Sequence, residues 1–124
     1  MNKTTGDAGE ELVARWLESR GWTLISRNWR SYRGEVDIIA VDGDCLVFIE
    51  VKNWPHGVQE DLELAVGRTK QKRIIETAKC FLDTHRQYSG MYVRFDVVFA
   101  RWDPESGQKA ELRHIKDAFS ERAE

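Results

Sequence analysis

The segment from Cys45 to Asn53 constrains the fold of this chain more than any other part of the sequence. Taken as a β-strand, it alternates between two faces, and each face begins with apolar side chains: Val47 and Ile49 on one, Leu46 and Phe48 on the other. A strand that is apolar on both faces is buried on both sides, so packing must cover the sheet above and below. The segment therefore predicts an interior strand of an α/β fold.

The remaining periodicities predict the elements around this strand. In chain order they are a helix over Asp7–Arg20, strands over Trp22–Trp29, Gly34–Val41 and Cys45–Asn53, a long helix over about Asp61–His85, a strand over Tyr92–Trp102, a turn over Pro104–Gly107 and a short strand over Glu111–Ile115. The order αβββαββ indicates a mixed β-sheet flanked by α-helices. A length of 124 residues fits one domain, 1–124.

Composition limits the classes of partner. The chain has 19 Lys plus Arg against 21 Asp plus Glu, a net charge of -2, so any nucleic-acid partner must be bound by a local basic patch. Its apolar runs are far shorter than a membrane span and its polar start is not a signal peptide, which predicts a cytoplasmic protein without a membrane partner.

The central strand ends in charged residues. Alternation places Glu50 and Lys52 on the face of Leu46 and Phe48, although burying ions is costly unless they are paired or bind a cation. The preceding hairpin brings in Asp37. If the numbers of paired residues sum to 85 or 87, Asp37 shares the face of Glu50; we favour 87, which sets these two carboxylates directly opposite one another.

Two facing carboxylates repel each other, and a shared proton or a hard divalent cation relieves the repulsion. Mg²⁺ (or Mn²⁺) is the natural candidate, with Asp37 and Glu50 as ligands and Lys52 orienting a water or binding a phosphate. This constellation indicates phosphodiester hydrolysis. The alternative is a structural ion-pair cluster at a sheet end, because Glu-x-Lys alone is a weak motif.

Two helical positions allow a functional and a structural interpretation. Glu10 borders the apolar face of the first helix, where it can hold the metal or its water, but with Asp7 it also has the spacing of a capping box. Gln71 falls within the apolar face of the long helix, flanked by Lys70 and Arg68. Gln71 and Lys70 either reach a phosphate or the attacking water, or hydrogen-bond the backbone and remain solvated, respectively.

Two basic segments are candidate nucleic-acid surfaces. One is the run from Arg68 to Lys79; the other interleaves Arg27, Arg30 and Arg33 with Trp29 and Tyr32. Solvated charged faces are the alternative for both. Asp96, an acid in an apolar strand, is either a residue supporting the site or an edge position.

Together these segments resemble the YraN-like family of small bacterial proteins, which is assigned to the PD-(D/E)XK restriction-endonuclease-like superfamily. The segments that carry the resemblance are Thr5–Glu10, Gly34–Ile39, Phe48–Lys52, Lys70-Gln71, Arg94–Val98 and Ile115–Phe119. The resemblance implies a restriction-endonuclease-like fold. It also implies Asp37, Glu50 and the carbonyl of Val51 as metal ligands, Lys52 and Glu10 as catalytic partners, and the Lys70-Gln71 pair in substrate binding.

The expected function is a Mg²⁺-dependent nuclease acting on DNA, with branched or Holliday-junction-like structures as candidate substrates. Nucleic-acid contacts are expected from Lys70, Gln71, Arg68 and Arg33, and a two-fold homodimer is the default assembly. One alternative is a non-catalytic nucleic-acid-binding protein of the same fold. Another is a partner-binding or assembly protein that uses its aromatic surface.

Overall fold

Alternating apolar residues place the strand Cys45–Asn53 at the centre of a five-stranded mixed sheet, as its sequence predicts. The computed structural model describes residues 5–54, 59–101 and 111–121, with side chains from residue 8. Its elements are α1 (Thr5–Ser19), β1 (Thr23–Ser31), β2 (Gly34–Asp42), β3 (Cys45–Asn53), α2 (Leu62–Ala65), α3 (Arg68–Thr84), a 3₁₀ turn (Arg86–Tyr88), β4 (Tyr92–Arg101) and β5 (Glu111–Phe119). The turn predicted over Pro104–Gly107 lies outside these residues.

The strands follow one another in the order β1-β2-β3-β4-β5. All neighbours are antiparallel except β3 and β4, which run parallel because α2 and α3 cross over between them. In the β2–β3 hairpin the pairs run from Asp42↔Cys45 to Ile38↔Ile49, so the paired numbers sum to 87. The favoured register is confirmed, and it rests on a turn of two residues, Gly43 and Asp44.

The sheet buries both faces. Leu46 and Phe48 pack with residues of α3, including Phe81, whereas Val47 and Ile49 pack with Val13 and Leu17 of α1. The mixed sheet with helices on its two faces is consistent with a restriction-endonuclease-like fold. No helix in the described ranges is long and apolar enough to cross a bilayer.

The single long helix predicted over Asp61–His85 is wrong, because the chain leaves the helical path between Ala65 and Arg68. Gly67 is extended there (φ -71°, ψ 172°), and the side chain of Val66 is fully buried. Glycine is a poor helix former, which favours a break at this position. The extended backbone at Gly67 directs the side chain of Val66 into the core. The helical spacing of apolar residues continues across this break because the break is short. The sequence pattern therefore does not reveal the break.

Several other element boundaries differ from their predictions by one to four residues, and two of these differences affect a prediction. Helix α1 begins at Thr5, so Asp7 lies inside it and the capping box with Asp7 as N-cap is wrong. Strand β5 continues to Phe119 instead of ending at Ile115. Between the pairs Phe95↔Phe119 and Val97↔Ile115 three residues of β5 oppose Asp96 alone, and Asp117 at φ 53° makes this bulge.

Candidate active site

The backbone pairing of strands β2 and β3 ends immediately before Asp37 and Glu50. The last backbone pair is Ile38↔Ile49, whereas β3 stays paired with β4 as far as Asn53↔Ala100. Beyond this point the side chain of Asp37 takes the place of a backbone acceptor, because the N–H of Val51 donates to its Oδ2 at 2.8 Å. The divergence of the two strands opens the end of the sheet beside Asp37 and Glu50.

The two carboxyl groups meet in a largely dehydrated setting. The side chain of Glu50 is 4% exposed. Burial, then a hydrogen bond with Glu50 and its negative charge, raises the pKa of Asp37 to about 8. The pair therefore holds a proton near neutral pH, and a cation placed between the carboxylates can replace that proton.

Two lysines converge on Glu50. The Nζ of Lys70 contacts Glu50 Oε2, and the Nζ of Lys52 lies 3.5 Å from the same oxygen. Burial, together with the neighbouring ammonium of Lys70, lowers the pKa of Lys52. Burial also acts to lower the pKa of Lys70, but its hydrogen bond to Glu50 contributes to a net increase. Neither lysine is within ion-pair distance of Asp37, although the charge of Asp37 makes a smaller contribution to the raised pKa of Lys70, so the lysines balance Glu50 more directly than Asp37.

Glu10 approaches the pair from the opposite helical layer. Its side chain is 12% exposed, and its charge adds a smaller upward contribution to the pKa of Asp37. In the part of the chain that is described, no three His, Cys, Asp or Glu side chains form a ready-made metal cage. Mg²⁺ in proteins is usually held by one or two carboxylates, with water and substrate phosphate completing its shell. The Asp37–Glu50 pair fits that mode.

A cleft of about 410 Å³ gives access to the pair. Its lining comprises Gly34, Glu35, Asp37, Glu50, Lys70, Arg73 and Ile74. Arg73, which is exposed, belongs to the basic run predicted over Arg68–Lys79 but was not singled out as a site residue. The signal was available in its spacing, because Arg73 follows Lys70 by three positions and so shares its helix face. The cleft combines an acidic floor with a basic rim.

Comparison with known proteins places these residues in a family. The model of the uncharacterised protein family UPF0102 matches residues 9–100, which include the whole acidic cluster. The chain belongs to UPF0102. Its relatives include UPF0102 proteins of Treponema pallidum (strain Nichols; 48% identical over 120 residues, 97% of this chain and 95% of the relative) and Treponema denticola (44% over 123 residues, 94% and 95%). Another, from Syntrophus aciditrophicus, is 44% identical over 119 residues, covering 96% and 91%. The expected membership of the YraN-like family is confirmed.

Three predicted contact residues of this UPF0102 protein lie outside the acidic cleft. Arg68 and Gln71 line a separate groove of about 310 Å³ towards the end of β5. The Nε2 of Gln71 donates to the carbonyl of Val66 at 2.9 Å, which stabilises the break before α3. This backbone hydrogen bond is the structural alternative for Gln71. Arg33 lies in the β1–β2 turn with its guanidinium over the ring of Tyr32. Nucleic-acid contacts of Arg68, Gln71 and Arg33 stay predictions.

The structure separates the members of the second basic segment. Trp29 packs edge-to-face against Phe81 of the core, so it is not a free stacking surface. Arg27 pairs with Glu11 and lies 3.9 Å from Glu10, and Arg30 pairs with Glu35 at 2.9 Å. Tyr32 and Arg33 alone of the five remain together on an exposed turn.

Asp96 forms a second acidic cluster on the other face of the sheet. Its side chain is 0% exposed and receives Arg94 at 2.9 and 3.0 Å, the Nε2 of His114 at 2.7 Å and the N–H of Asp117 at 2.9 Å. Burial acts to raise the pKa of Asp96, but the hydrogen bonds of His114 and Arg94 outweigh it and lower the pKa. Because β4 pairs on both sides, the edge position considered for Asp96 is wrong.

Proposed function

We propose that this UPF0102 protein is a Mg²⁺-dependent nuclease that hydrolyses phosphodiester bonds in DNA. The observation that carries the proposal is the pair formed by half-buried Asp37 and buried Glu50 at the floor of an open cleft, with lysines beside it. A carboxyl with a pKa raised to about 8 is unusual for Asp and is typical of sites that bind a cation or move a proton.

Asp37 and Glu50 would hold the metal, with the carbonyl of Val51 as the further ligand implied by the family resemblance. When bound, Mg²⁺ lowers the pKa of a water and offsets negative charge that develops on phosphorus. The N–H of Val51 fixes one oxygen of Asp37, so its other oxygen is the one available to a cation. Oxygen donors and an incomplete protein shell suit Mg²⁺ better than a softer metal.

Lys52 has the position and the properties to assist the attacking water. It is partly buried beside Glu50, and its lowered pKa favours the neutral amine, which can accept a proton from the attacking water. Lys70 and Arg73 on the cleft rim supply positive charge to bind the phosphate of the incoming strand. Glu10, close enough to influence Asp37, orients water on the side of α1.

DNA is the proposed substrate, with branched or Holliday-junction-like structures as candidates. The net charge of -2 requires the strand to be bound locally, and the basic rim of the cleft meets that need. A second candidate function is non-catalytic nucleic-acid binding. The observation that favours it is the convergence of both lysines on Glu50 Oε2, which neutralises part of the site without any metal.

The test is cleavage of end-labelled branched, single-stranded and duplex DNA with Mg²⁺, Mn²⁺ or EDTA. We expect metal-dependent cleavage that falls by about 100-fold or more in Asp37→Asn and in Glu50→Gln, because each removes a metal ligand. Asp83→Asn, which changes an exposed carboxylate on α3, is the matched control and should cleave like the wild type. Cleavage that survives in either ligand variant contradicts the mechanism. Binding without cleavage by the wild type supports the second candidate.

A further inference from the structure

The turn between β1 and β2 presents an aromatic ring to solvent. Ser31 pairs with Gly34, which leaves Tyr32 and Arg33 at the tip. Tyr32 is 84% exposed, more than any other large apolar or aromatic side chain in the described ranges. The guanidinium of Arg33 lies over its ring at 4.8 Å from the centroid. A single exposed ring is common on a protein surface, so a role for Tyr32 has to rest on the groups that lie beside it.

The tip is held in a defined place against α3. Gly34 has φ +155°, a conformation that L side chains rarely adopt, and a Cβ built there would lie 3.3 Å from Thr77 Oγ1 and 3.6 Å from Arg73 Cβ. The hairpin thus approaches α3 closely next to Arg73. This close approach fixes the position of the ring relative to the acidic cleft.

A continuous surface joins the tip to that cleft. A groove of about 310 Å³ is lined by Tyr32, Arg33, Thr69, Lys72, Arg73 and Glu76. Arg73 also lines the cleft above Asp37 and Glu50, so it stands between the two depressions. The groove has three basic side chains and one acidic side chain, in a protein whose net charge is negative. Positive charge is therefore concentrated along the approach to the carboxylates.

We propose that Tyr32 stacks on an unpaired base of a DNA strand whose phosphates pass over Lys72 and Arg73 into the acidic cleft. In a continuous duplex both faces of each base are covered by its neighbours, so an aromatic ring can stack only where a base is unpaired and unstacked. The substrate class is consequently DNA with a single-stranded segment next to the bond in the cleft. The inference rests on the proposed function in taking the occupant of the cleft to be DNA.

The test is binding, measured by fluorescence anisotropy in EDTA so that no metal-dependent cleavage intervenes. The probes are a splayed fork, a single strand and a fully paired duplex of the same sequence. Stacking of one base is worth about 1–3 kcal/mol, so Tyr32→Ala should weaken binding to the fork and the single strand by about 5-fold to 150-fold. Binding to the duplex should change by less than about twofold, because no base stacks on the ring there.

Two variants serve as matched controls. Tyr32→Phe keeps the ring and should bind the fork like the wild type. Tyr92 is 72% exposed and pairs with Cys45, at the end of β3 opposite to Glu50. Tyr92→Ala therefore removes another highly exposed ring, far from the cleft, and should leave all three affinities unchanged.

Tyr32→Ala binding the fork like the wild type would overturn the inference, as would an equal loss on fork and duplex. Adding Mg²⁺ to the same wild-type mixtures tests the proposed function separately. If the wild type cleaves the DNA but Tyr32→Ala does not weaken DNA binding, the nuclease proposal is supported and the stacking role is contradicted. Selective loss of fork binding without cleavage supports the stacking role and counts against the nuclease. Failure of the wild type to bind any probe in EDTA overturns the stacking role, and the absence of cleavage in Mg²⁺ as well overturns both.

Discussion

Two acidic clusters, one around Asp96 and one around Asp37 and Glu50, lie on neighbouring strands of the sheet and differ in how their charge is balanced. Asp96 pairs in register with Ile49, one residue before Glu50, yet the two carboxylates are on opposite faces. Asp96 is matched by a guanidinium, an imidazole and a backbone N–H, and its pKa is lowered. Asp37, next to Glu50, has its pKa raised to about 8.

The contrast shows what folding alone arranges. Around Asp96, groups from β4 and β5 stabilise the ionised form and close it from solvent, as expected of an anion that holds strands together. Around Asp37 and Glu50, two carboxyl groups face a cleft, and the nearest cations form ion pairs with Glu50 and not with Asp37. This electrostatic difference supports the proposal that a cation binds between Asp37 and Glu50.

The largest expected effect on stability comes from removing the carboxylate of Asp96, whose charge is balanced by its partners. Asp96→Ala leaves Arg94, which is mostly buried, without its main partner, and losing one member of a buried pair costs about 3–5 kcal/mol. We expect the free energy of unfolding in urea to fall by this amount. Asp83→Ala, at an exposed position of α3, is the control and should change it by less than about 0.5 kcal/mol. A loss below about 1 kcal/mol for Asp96→Ala would show that the cluster does not stabilise the fold.

The next effect is a pH dependence of opposite sign at the two clusters. The folded protein raises the pKa of Asp37 from 3.8 to about 8, so it binds a proton that the unfolded chain lacks, and stability declines as pH rises between these values. The pKa of Asp96 is lowered, so its contribution is present above 3.8 and is lost as pH falls through its folded value. Between pH 5 and 8 in EDTA we expect a decline of about 3–4 kcal/mol, because each pH unit below the folded pKa of Asp37 contributes about 1.4 kcal/mol.

Denaturation of Asp37→Asn across the same pH range separates the two contributions. The variant should lose the decline between pH 5 and 8 and keep the acid-side loss that belongs to Asp96. It should also be more stable than the wild type at pH 8, because an amide is not subject to the repulsion from Glu50. A decline that persists unchanged in Asp37→Asn would assign it to another group.

The smallest effect is stabilisation by metal. At a Mg²⁺ concentration five times its dissociation constant, binding to the folded state alone adds about 1 kcal/mol to the free energy of unfolding. We expect the wild type at pH 8 to show this increase. Asp37→Asn and Glu50→Gln should not, whereas Asp83→Asn should match the wild type. Equal stabilisation of all four proteins would place the cation elsewhere.

The alternation of side chains along β3 and the residue pairing of the β2–β3 hairpin were enough to predict the core of the candidate site. Period-two packing of β3 put Glu50 and Lys52 on one face, and the register that sums to 87 brought Asp37 to the position opposite Glu50. These are local regularities of strands, and a sequence displays them directly. The αβββαββ order followed from similar periodicities and agrees with the observed sheet.

The remainder depends on contacts between distant segments. The pairing of Lys70 with Glu50 requires the crossover through α3 to be in place, and the partners of Asp96 include a backbone N–H made available by the bulge at Asp117. Trp29 has the composition of a stacking residue, and its packing on Phe81 becomes apparent only in three dimensions. Sequence spacing identifies which residues share a face, but it does not show which of them are buried in the core of the folded protein.

The hydrogen bond from the Val51 amide to Asp37 also affects the entropy of ligand capture. A free aspartate samples several rotamers, and a ligand must immobilise it at a cost in conformational entropy. Here the hydrogen bond restricts the rotation of the Asp37 side chain as soon as β2 and β3 assemble. Most of the conformational entropy of this side chain is therefore lost on folding, before a cation binds. The site is in this sense preorganised: its affinity depends less on ordering the protein than on displacing the proton and the lysine ammonium groups already present.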